Sequence, residues 1–230
     1  EIYRGVETFV HELANRLILF GNDVVVYQNG PTVPGAFYTT KTIGLKVDWA
    51  RQKSYAHFIN YYSLLIRDFT NQVLKGIDKN ADIIFPTNGD WEALLCSFWA
   101  KRYRKKIVLS GQSGPGADDK INLFTFPNTF VALTEFQKKW AKKVNPFVRI
   151  EKIPNGVDSL KFSKNVVPIR TSLQRPIILS VAAFDSWKRL DLAIKGIAKL
   201  DKGSLLLVGR GEKEKELREL GESLLGNRFQ

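Results

Sequence analysis

Apolar runs of five or six residues recur along this chain, separated by longer stretches whose apolar residues return every three to four positions. The runs are DVVVY (23–27), DIIFP (82–86), KIVLS (106–110), TFVALT (129–134) and RIEKIP (149–154). Between them, residues 5–20 place Val6, Val10, Leu13, Leu17 and Phe20 at helical spacing, and Gly21–Asn22 stop that helix. The spacing also predicts a long aromatic-rich helix over 50–77 and helices over 90–101 and 135–143. Residues 30–49 are rich in loop formers, with a weak strand near 41–45. Strands that are apolar on both faces need helices on both sides, so the alternation predicts βα units around a mostly parallel sheet. A polar stretch over 163–175 then interrupts the pattern and reads as a linker. Beyond it the alternation restarts, with strands at 177–182 and 204–209 and helices at 189–199 and 212–225. The expected architecture is α/β. A Rossmann-like domain spans 1–162, and residues 176–230 form the first part of a second, with only two βα units.

Composition narrows the function classes. Among 230 residues there is one cysteine, Cys96, and two histidines, His11 and His57, too few for a structural zinc site. Cys96 lies in an apolar helical stretch and is expected to be a buried free thiol in a reducing, cytoplasmic setting. No run approaches the roughly 20 apolar residues of a membrane helix, and no signal peptide pattern opens the sequence. The chain holds no methionine, so its first residue is expected not to be the natural start. The net charge of +12 favours anionic partners. Its basic residues concentrate in KRYRKK (101–106) and KKWAKK (138–143), where Tyr103 and Trp140 interleave the charges. Peripheral contact with an anionic membrane is one expectation from this charge. Nucleic-acid binding, resting on charge alone, is not expected.

Three stretches combine a strand end, a short loop and a helix start, where α/β proteins hold phosphates. In YRGVE (3–7), Gly5 opens a helix and lets a ligand approach the backbone. In AAFDSWKRLD (182–191), Lys188 and Arg189 stand just past a strand, with Asp191 placed to cap or pair with them. In VGRGEKEKE (208–216), Gly209 and Gly211 flank Arg210 before a Glu-rich helix. Each stretch taken alone is equally a solvated loop or a plain helix start. NGVD (155–158) reads as a tight turn in which Asp158 bonds back to the backbone.

In order, these pieces resemble the retaining GT-B glycosyltransferases of family 4. GVETFVHELANRLILFGNDVVVY is similar to that family's first helix and second strand. IEKIPNGVDSLKF is similar to its crossover between domains. IILSVAAFDSWKRLDLAIKGIAKL followed by SLLLVGRGEKEKELREL is similar to the first half of its donor domain. The resemblance implies transfer of a sugar from a nucleotide diphosphate sugar to an acceptor hydroxyl with retention. It places Lys188 at the donor diphosphate, with Arg189 as a further cation, Gly5 in the N-terminal loop near the diphosphate, and Gly209 and Gly211 beside the nucleotide. No cofactor or metal is expected. The implied partners are the donor and a glycan, lipid-linked or small-molecule acceptor.

Departures from the family pattern qualify this picture. Ala182 and Ala183 stand where relatives carry Gly and Arg. The loop SGQSGPGADD (110–119) lacks the histidine that many relatives have there; Gln112 or Ser113 could hydrogen-bond a sugar, but neither replaces a histidine in protonation chemistry. The family's glutamate pair is not evident; Glu214 and Glu222 match its spacing but fall in the wrong helix. These departures lead to the expectation that the chain is truncated at both ends and inactive alone. A non-catalytic relative that binds an anionic partner through its basic surface is the alternative.

Overall fold

The computed structural model describes residues 5–48, 57–163, 165 and 167–230. The chain divides into two compact units, Glu1–Val157 and Asp158–Gln230.

The first unit begins with helix α1 (Gly5–Leu19), strand β1 (Val25–Gln28) and strand β2 (Thr39–Thr42), the two strands pairing in parallel. Helix α2 (Tyr61–Gly76) is shorter than the helix expected over 50–77. Its start is fixed by Asn60, whose side-chain oxygen accepts the Ser63 N–H at 2.9 Å. Residues 50–56 of the expected helix lie outside the described residues.

Four parallel strands follow in chain order: β3 (Ile83–Ile84), β4 (Lys106–Ser110), β5 (Thr129–Ala132) and β6 (Arg149–Lys152). Helices α3 (Trp91–Arg102), α4 (Ala117–Phe124) and α5 (Glu135–Val144) make the crossovers. Helix α4 was not expected; its sequence ADDKINLF follows a glycine-rich loop and shows no long apolar period. The core lies between sheet and helices. Leu109, Leu123 and Phe130 are each at most 1% exposed, and Ala93, Ala132 and Ala141 let the helices approach closely. Each fully buried large apolar side chain contributes about 1.5–3 kcal/mol. A second cluster joins Ile84, Cys96, Trp99 and Ile107, so Cys96 is the buried free thiol expected.

Helix α1 forms where the spacing predicts it, although much of its apolar stripe is exposed: Val6 is 41%, Leu17 37% and Phe20 81% exposed, and Ala14 is the buried residue of the helix. One sequence reading needs correction in this unit. Trp140 does not interleave surface charge but packs against the core, because it falls on the same side of α5 as Ala141 and Val144.

The second unit pairs β7 (Ile177–Val181) with β8 (Ser204–Val208) in parallel, with α6 (Leu190–Ala198) and α7 (Glu214–Leu225) packed together. Its core is Phe184, Leu190, Ile194, Leu205, Leu217 and Leu225. Beyond α7 the backbone returns to the sheet: Leu207 N–H donates to the Gln230 carbonyl at 2.8 Å, and Gln230 N–H to Leu205 at 3.0 Å. This places the Phe229 ring under Gly221, where a β-carbon would meet it at 2.4 Å. A side chain at 221 would therefore have to displace the Phe229 ring.

Candidate functional site

In both units the parallel strands present their carboxyl ends along one edge, where open α/β sheets bind ligands. Each edge is described within its own unit.

In the first unit, a polar framework ties the loops at this edge. Helix α5 opens with Thr134, whose hydroxyl accepts the Gln137 N–H at 3.1 Å. Gln137, 2% exposed, then distributes its own amide. Its oxygen accepts the Leu133 N–H at 2.7 Å, while its nitrogen donates to the Gly111 carbonyl at 2.7 Å and to Asp119 Oδ2 at 2.6 Å. One side chain thus connects the loop after β4, helix α4 and the loop after β5. Burial raises the Asp119 carboxyl to about 6, the Gln137 hydrogen bond only partly opposing it. Gly111 fits because it lacks a side chain: a β-carbon there would lie 2.3 Å from the Gln137 amide nitrogen and 2.5 Å from the Phe130 ring.

Next to this tie, Gln112 and Asn155 form a reciprocal amide pair, with contacts of 3.0 and 3.3 Å. Gln112 also donates to Ser110 Oγ at 2.8 Å. Much of the hydrogen-bonding capacity of Gln112 is thereby used within the protein, whereas Ser113 is exposed. Asp158 bonds back to the backbone as expected, although the turn it holds lies at 159–161 rather than at Asn155–Gly156. Asp158 Oδ1 accepts the Leu160 and Lys161 N–H groups at 3.0 and 3.1 Å.

A histidine reaches this edge from another part of the chain. His57 Nε2 stands 3.4 Å from Asp118 Oδ1, in the first turn of α4, and its Nδ1 lies 4.0 Å from Asp90 Oδ2. Asp90 Oδ2 also accepts the Phe58 N–H at 2.9 Å and the Ser63 hydroxyl. The Phe58 carbonyl accepts the Trp91 indole N–H at 2.7 Å, and their rings pack edge to face at 5.2 Å. Sequence reading missed this cluster, since nothing local marks His57 as a neighbour of loops so distant in the chain. His11, by contrast, sits on α1 and reaches the Tyr38 hydroxyl at 3.1 Å. In the first turn of α3, the half-buried Glu92 side chain reaches the loop after β3, accepting the Thr87 N–H at 2.9 Å and the Asn88 amide at 2.6 Å. Burial raises the pKa of that carboxyl.

Gly5 is the first residue of α1, with nothing within 4 Å of the position its β-carbon would take. Residues 3 and 4 of the YRGVE stretch lie outside the described residues.

In the second unit, the loops after β7 and β8 interlock. Phe184 N–H donates to the Arg210 carbonyl at 2.7 Å, and the Phe184 carbonyl accepts the Lys213 N–H at 2.9 Å. A β-carbon at 209 would lie 1.9 Å from the Ala182 carbonyl oxygen, and one at 211 would lie 2.7 Å from the Phe184 backbone. Both glycines are thus demanded by the crossing chain itself.

Lys188 ends a short 3-10 turn (Ser186–Lys188) and is exposed. Its ammonium lies 3.9 Å above the Trp187 ring, whose indole N–H donates to Asp185 at 3.1 Å. Among the described residues it has no carboxylate partner. Arg189 differs. Its backbone is left-handed (φ 51°), and its guanidinium grips Asp191 through contacts of 3.1 and 3.3 Å. That bond holds the Asp191 carboxyl below its usual range and raises the Arg189 guanidinium. Asp191 therefore pairs with Arg189, and also with Lys195 at 3.5 Å. An open groove of about 420 Å³ runs beside these residues, lined by Asp185, Ser186, Arg189, Asp191, Lys213 and Glu216. Glu214 and Glu222 both fall in α7, where Glu214 lies 3.6 Å from Arg218. Among the described residues, no three His, Cys, Asp or Glu side chains are grouped to hold a metal ion, and no helix is long and apolar enough to cross a membrane.

The profile of Glycosyltransferase Family 4 matches residues 3–159. No curated protein sequence matches the chain. Among solved structures, Anabaena Alr3699/HepE in complex with UDP is similar at 12% identity and a TM-score of 0.62, over 99% of this chain and 65% of that one. The S. aureus MnaA–UDP structure is similar at 11% identity and a TM-score of 0.50, over 90% of this chain and 67% of that one. The chain thus spans just under two thirds of the HepE chain. At these identities the likeness concerns the fold, which is α/β of the GT-B, Rossmann-like type.

Proposed function

Because the chain belongs to glycosyltransferase family 4, we propose that it moves a hexosyl group from a nucleotide diphosphate sugar to a glycan hydroxyl, with retention at the anomeric carbon. One observation carries this reading: Lys188 is an exposed cation with no carboxylate partner among the described residues, in the loop after β7 and just before α6. Cleavage of the sugar–phosphate bond leaves negative charge on the diphosphate. A fixed cation and backbone N–H groups aimed at that charge lower the barrier. In this reading Lys188 supplies the charge, and Gly209, Gly211 and Gly5 border the donor. Arg189, engaged by Asp191, adds a partly neutralised cation. The charge is met by the protein rather than by a metal.

The UDP held by HepE and by MnaA supports a nucleotide diphosphate donor. The acceptor belongs to the first unit's edge, around His57, Ser113 and Asp118. A cytoplasmic location and peripheral contact with an anionic membrane belong to the same reading, the first resting on the free buried thiol of Cys96 and the second on the net charge of +12.

The test is a thermal-shift panel with UDP, GDP and ADP and their sugar conjugates. A ligand that binds only the folded state raises the melting temperature. The expected result is selective stabilisation by one nucleotide diphosphate, lost in Lys188→Ala while that variant's unliganded melting point is unchanged. Stabilisation that survives Lys188→Ala would remove this residue from the site. The anomeric configuration of any transfer product, read by NMR, tests retention.

A further inference from the structure

The net charge argues for an anionic partner without saying where it binds. Because β3 to β6 are parallel, the segments that precede them all emerge along one edge, opposite the loops described above. At that edge the cations Lys79, Lys101, Arg102, Arg104, Lys105 and Lys106 meet two acids, Asp78 and Asp82. Asp78 is exposed, its carboxylate accepting the Asn80 N–H at 2.8 Å within a local turn, so cations outnumber acids here by six to two.

Aromatic side chains stand among these cations and face solvent. Phe126, just before β5, is 48% exposed, and Phe147, just before β6, is 87% exposed. Neither protrudes by chance of a loose loop. Asn145, 2% exposed, donates to the Leu123 carbonyl at 2.9 Å and accepts the Phe147 N–H at 3.1 Å, fixing the turn that carries that ring. Lys101 donates to the Thr125 carbonyl at 2.9 Å and lies 5.6 Å from the centre of the Phe126 ring. Lys79 and Arg102 lie 5.2 and 5.8 Å from the Tyr103 ring. Arg104 and Phe126 both hold left-handed backbone (φ 54° each), which bulky side chains avoid and which surrounding structure must maintain.

We infer that this amino-terminal edge of the four-stranded sheet docks on an anionic lipid bilayer. Cations would meet headgroup phosphates, while Phe126 and Phe147 would enter the boundary between headgroups and acyl chains. Phenyl rings at separate loop tips, flanked by long cationic side chains, suit an interface that is apolar at depth and charged at its surface. They suit nucleic acid less well. The flat faces of the sheet, on which bases could stack, are covered by helices, and a phenyl ring offers no hydrogen bond to a base edge. The inference deepens the membrane part of the proposed function by naming the face that binds.

The test is sedimentation of the whole chain with vesicles of phosphatidylcholine, with and without phosphatidylglycerol. Binding is expected only to the acidic vesicles and should fade with salt. The variant Lys79→Gln/Arg102→Gln/Arg104→Gln should bind about a hundred-fold more weakly, at about five-fold per cation. A control with equal loss of charge, Lys199→Gln/Lys202→Gln/Lys215→Gln in the second unit, should bind far closer to the parent. A Phe147→Trp variant should shift its fluorescence to the blue on acidic vesicles. Equal losses in both triple variants, or no fluorescence shift, would overturn the assignment of this face while leaving membrane contact standing. No binding to acidic vesicles, or tighter binding to duplex DNA than to them, would overturn membrane contact itself. Neither result bears on the nucleotide panel, which tests glycosyl transfer separately.

Discussion

The α-carbon of Gly209 faces the carbonyl of Ala182 so closely that a β-carbon would sit 1.9 Å from its oxygen. Both partners are backbone, so no rotamer change relieves the contact. Gly209→Ala should therefore lower stability by at least the roughly 1–3 kcal/mol of an overpacked core, and urea denaturation will measure it. Gly196→Ala is the matched control. Gly196 lies inside α6 with nothing within 4 Å of its would-be β-carbon, and there alanine should stabilise by about 0.4–1 kcal/mol. The same chemical change is thus expected to have opposite signs at two positions of one unit.

Asp90 holds the segment before α2 in place. Replacing it with alanine leaves the Phe58 N–H and the Ser63 hydroxyl without the acceptor they share. The expected cost is about 1–3 kcal/mol. Hydrogen exchange should locate the loss at residues 57–63, with faster exchange of the Phe58 amide. An unchanged rate at Phe58 would show that Asp90 does not secure the segment.

Asp119 makes stability depend on pH. Its folded pKa of about 6 lies above the ordinary 3.8, so between those values the folded chain binds more protons than the unfolded one. Stability should then fall as pH rises from about 4 to about 6, and level off above. Glu92, also raised by burial, adds to the same trend. Asp119→Asn keeps an acceptor for Gln137 and should flatten the slope, read from urea midpoints on either side of the window. A slope as steep in that variant as in the parent would assign the effect elsewhere.

Cys96 should be inert in the folded protein. It is 6% exposed, and its thiol is pushed up first by burial and then by the nearby Glu92 carboxylate. Reaction with a disulfide reagent at neutral pH is expected only after denaturant is added. Prompt stoichiometric labelling of the native chain would contradict the packing around Trp99 and Ala100.

What could be read in advance follows from where each signal is local. The strands at KIVLS and TFVALT were visible because their apolar runs record burial, with Ile107, Leu109, Phe130 and Ala132 each at most 1% exposed, whereas Ile83 in DIIFP is 59% exposed and its run marks a strand without marking a covered one. Lys188 and the glycines at 209 and 211 stood out because strand, loop and helix start are consecutive in the chain. The reason for those glycines was not visible, since Ala182 and Phe184 approach them from another loop. Helix α4 was missed because ADDKINLF owes its position to Gln137 reaching Asp119, a contact no periodicity encodes. The His57 cluster failed for the same reason: Asp90 and Asp118 are brought to it only by β3 and β4 lying side by side. The exposed stripe of α1 shows the converse case, a periodic pattern that does not record burial.

The order β3-β4-β5-β6 has a consequence for how the sheet is made. Among the described residues each of these strands pairs with its neighbours in the chain, and the β4–β5 and β5–β6 ladders each close over roughly 20 residues. No strand must wait for a distant partner, so the sheet can be laid down in the order of synthesis, each new βα unit docking on a template already formed. Pulse-labelled hydrogen exchange on stalled nascent chains should find the amides of β4 protected before β6 has left the ribosome. Protection of all four strands appearing together would mean that the sheet forms as one cooperative event instead.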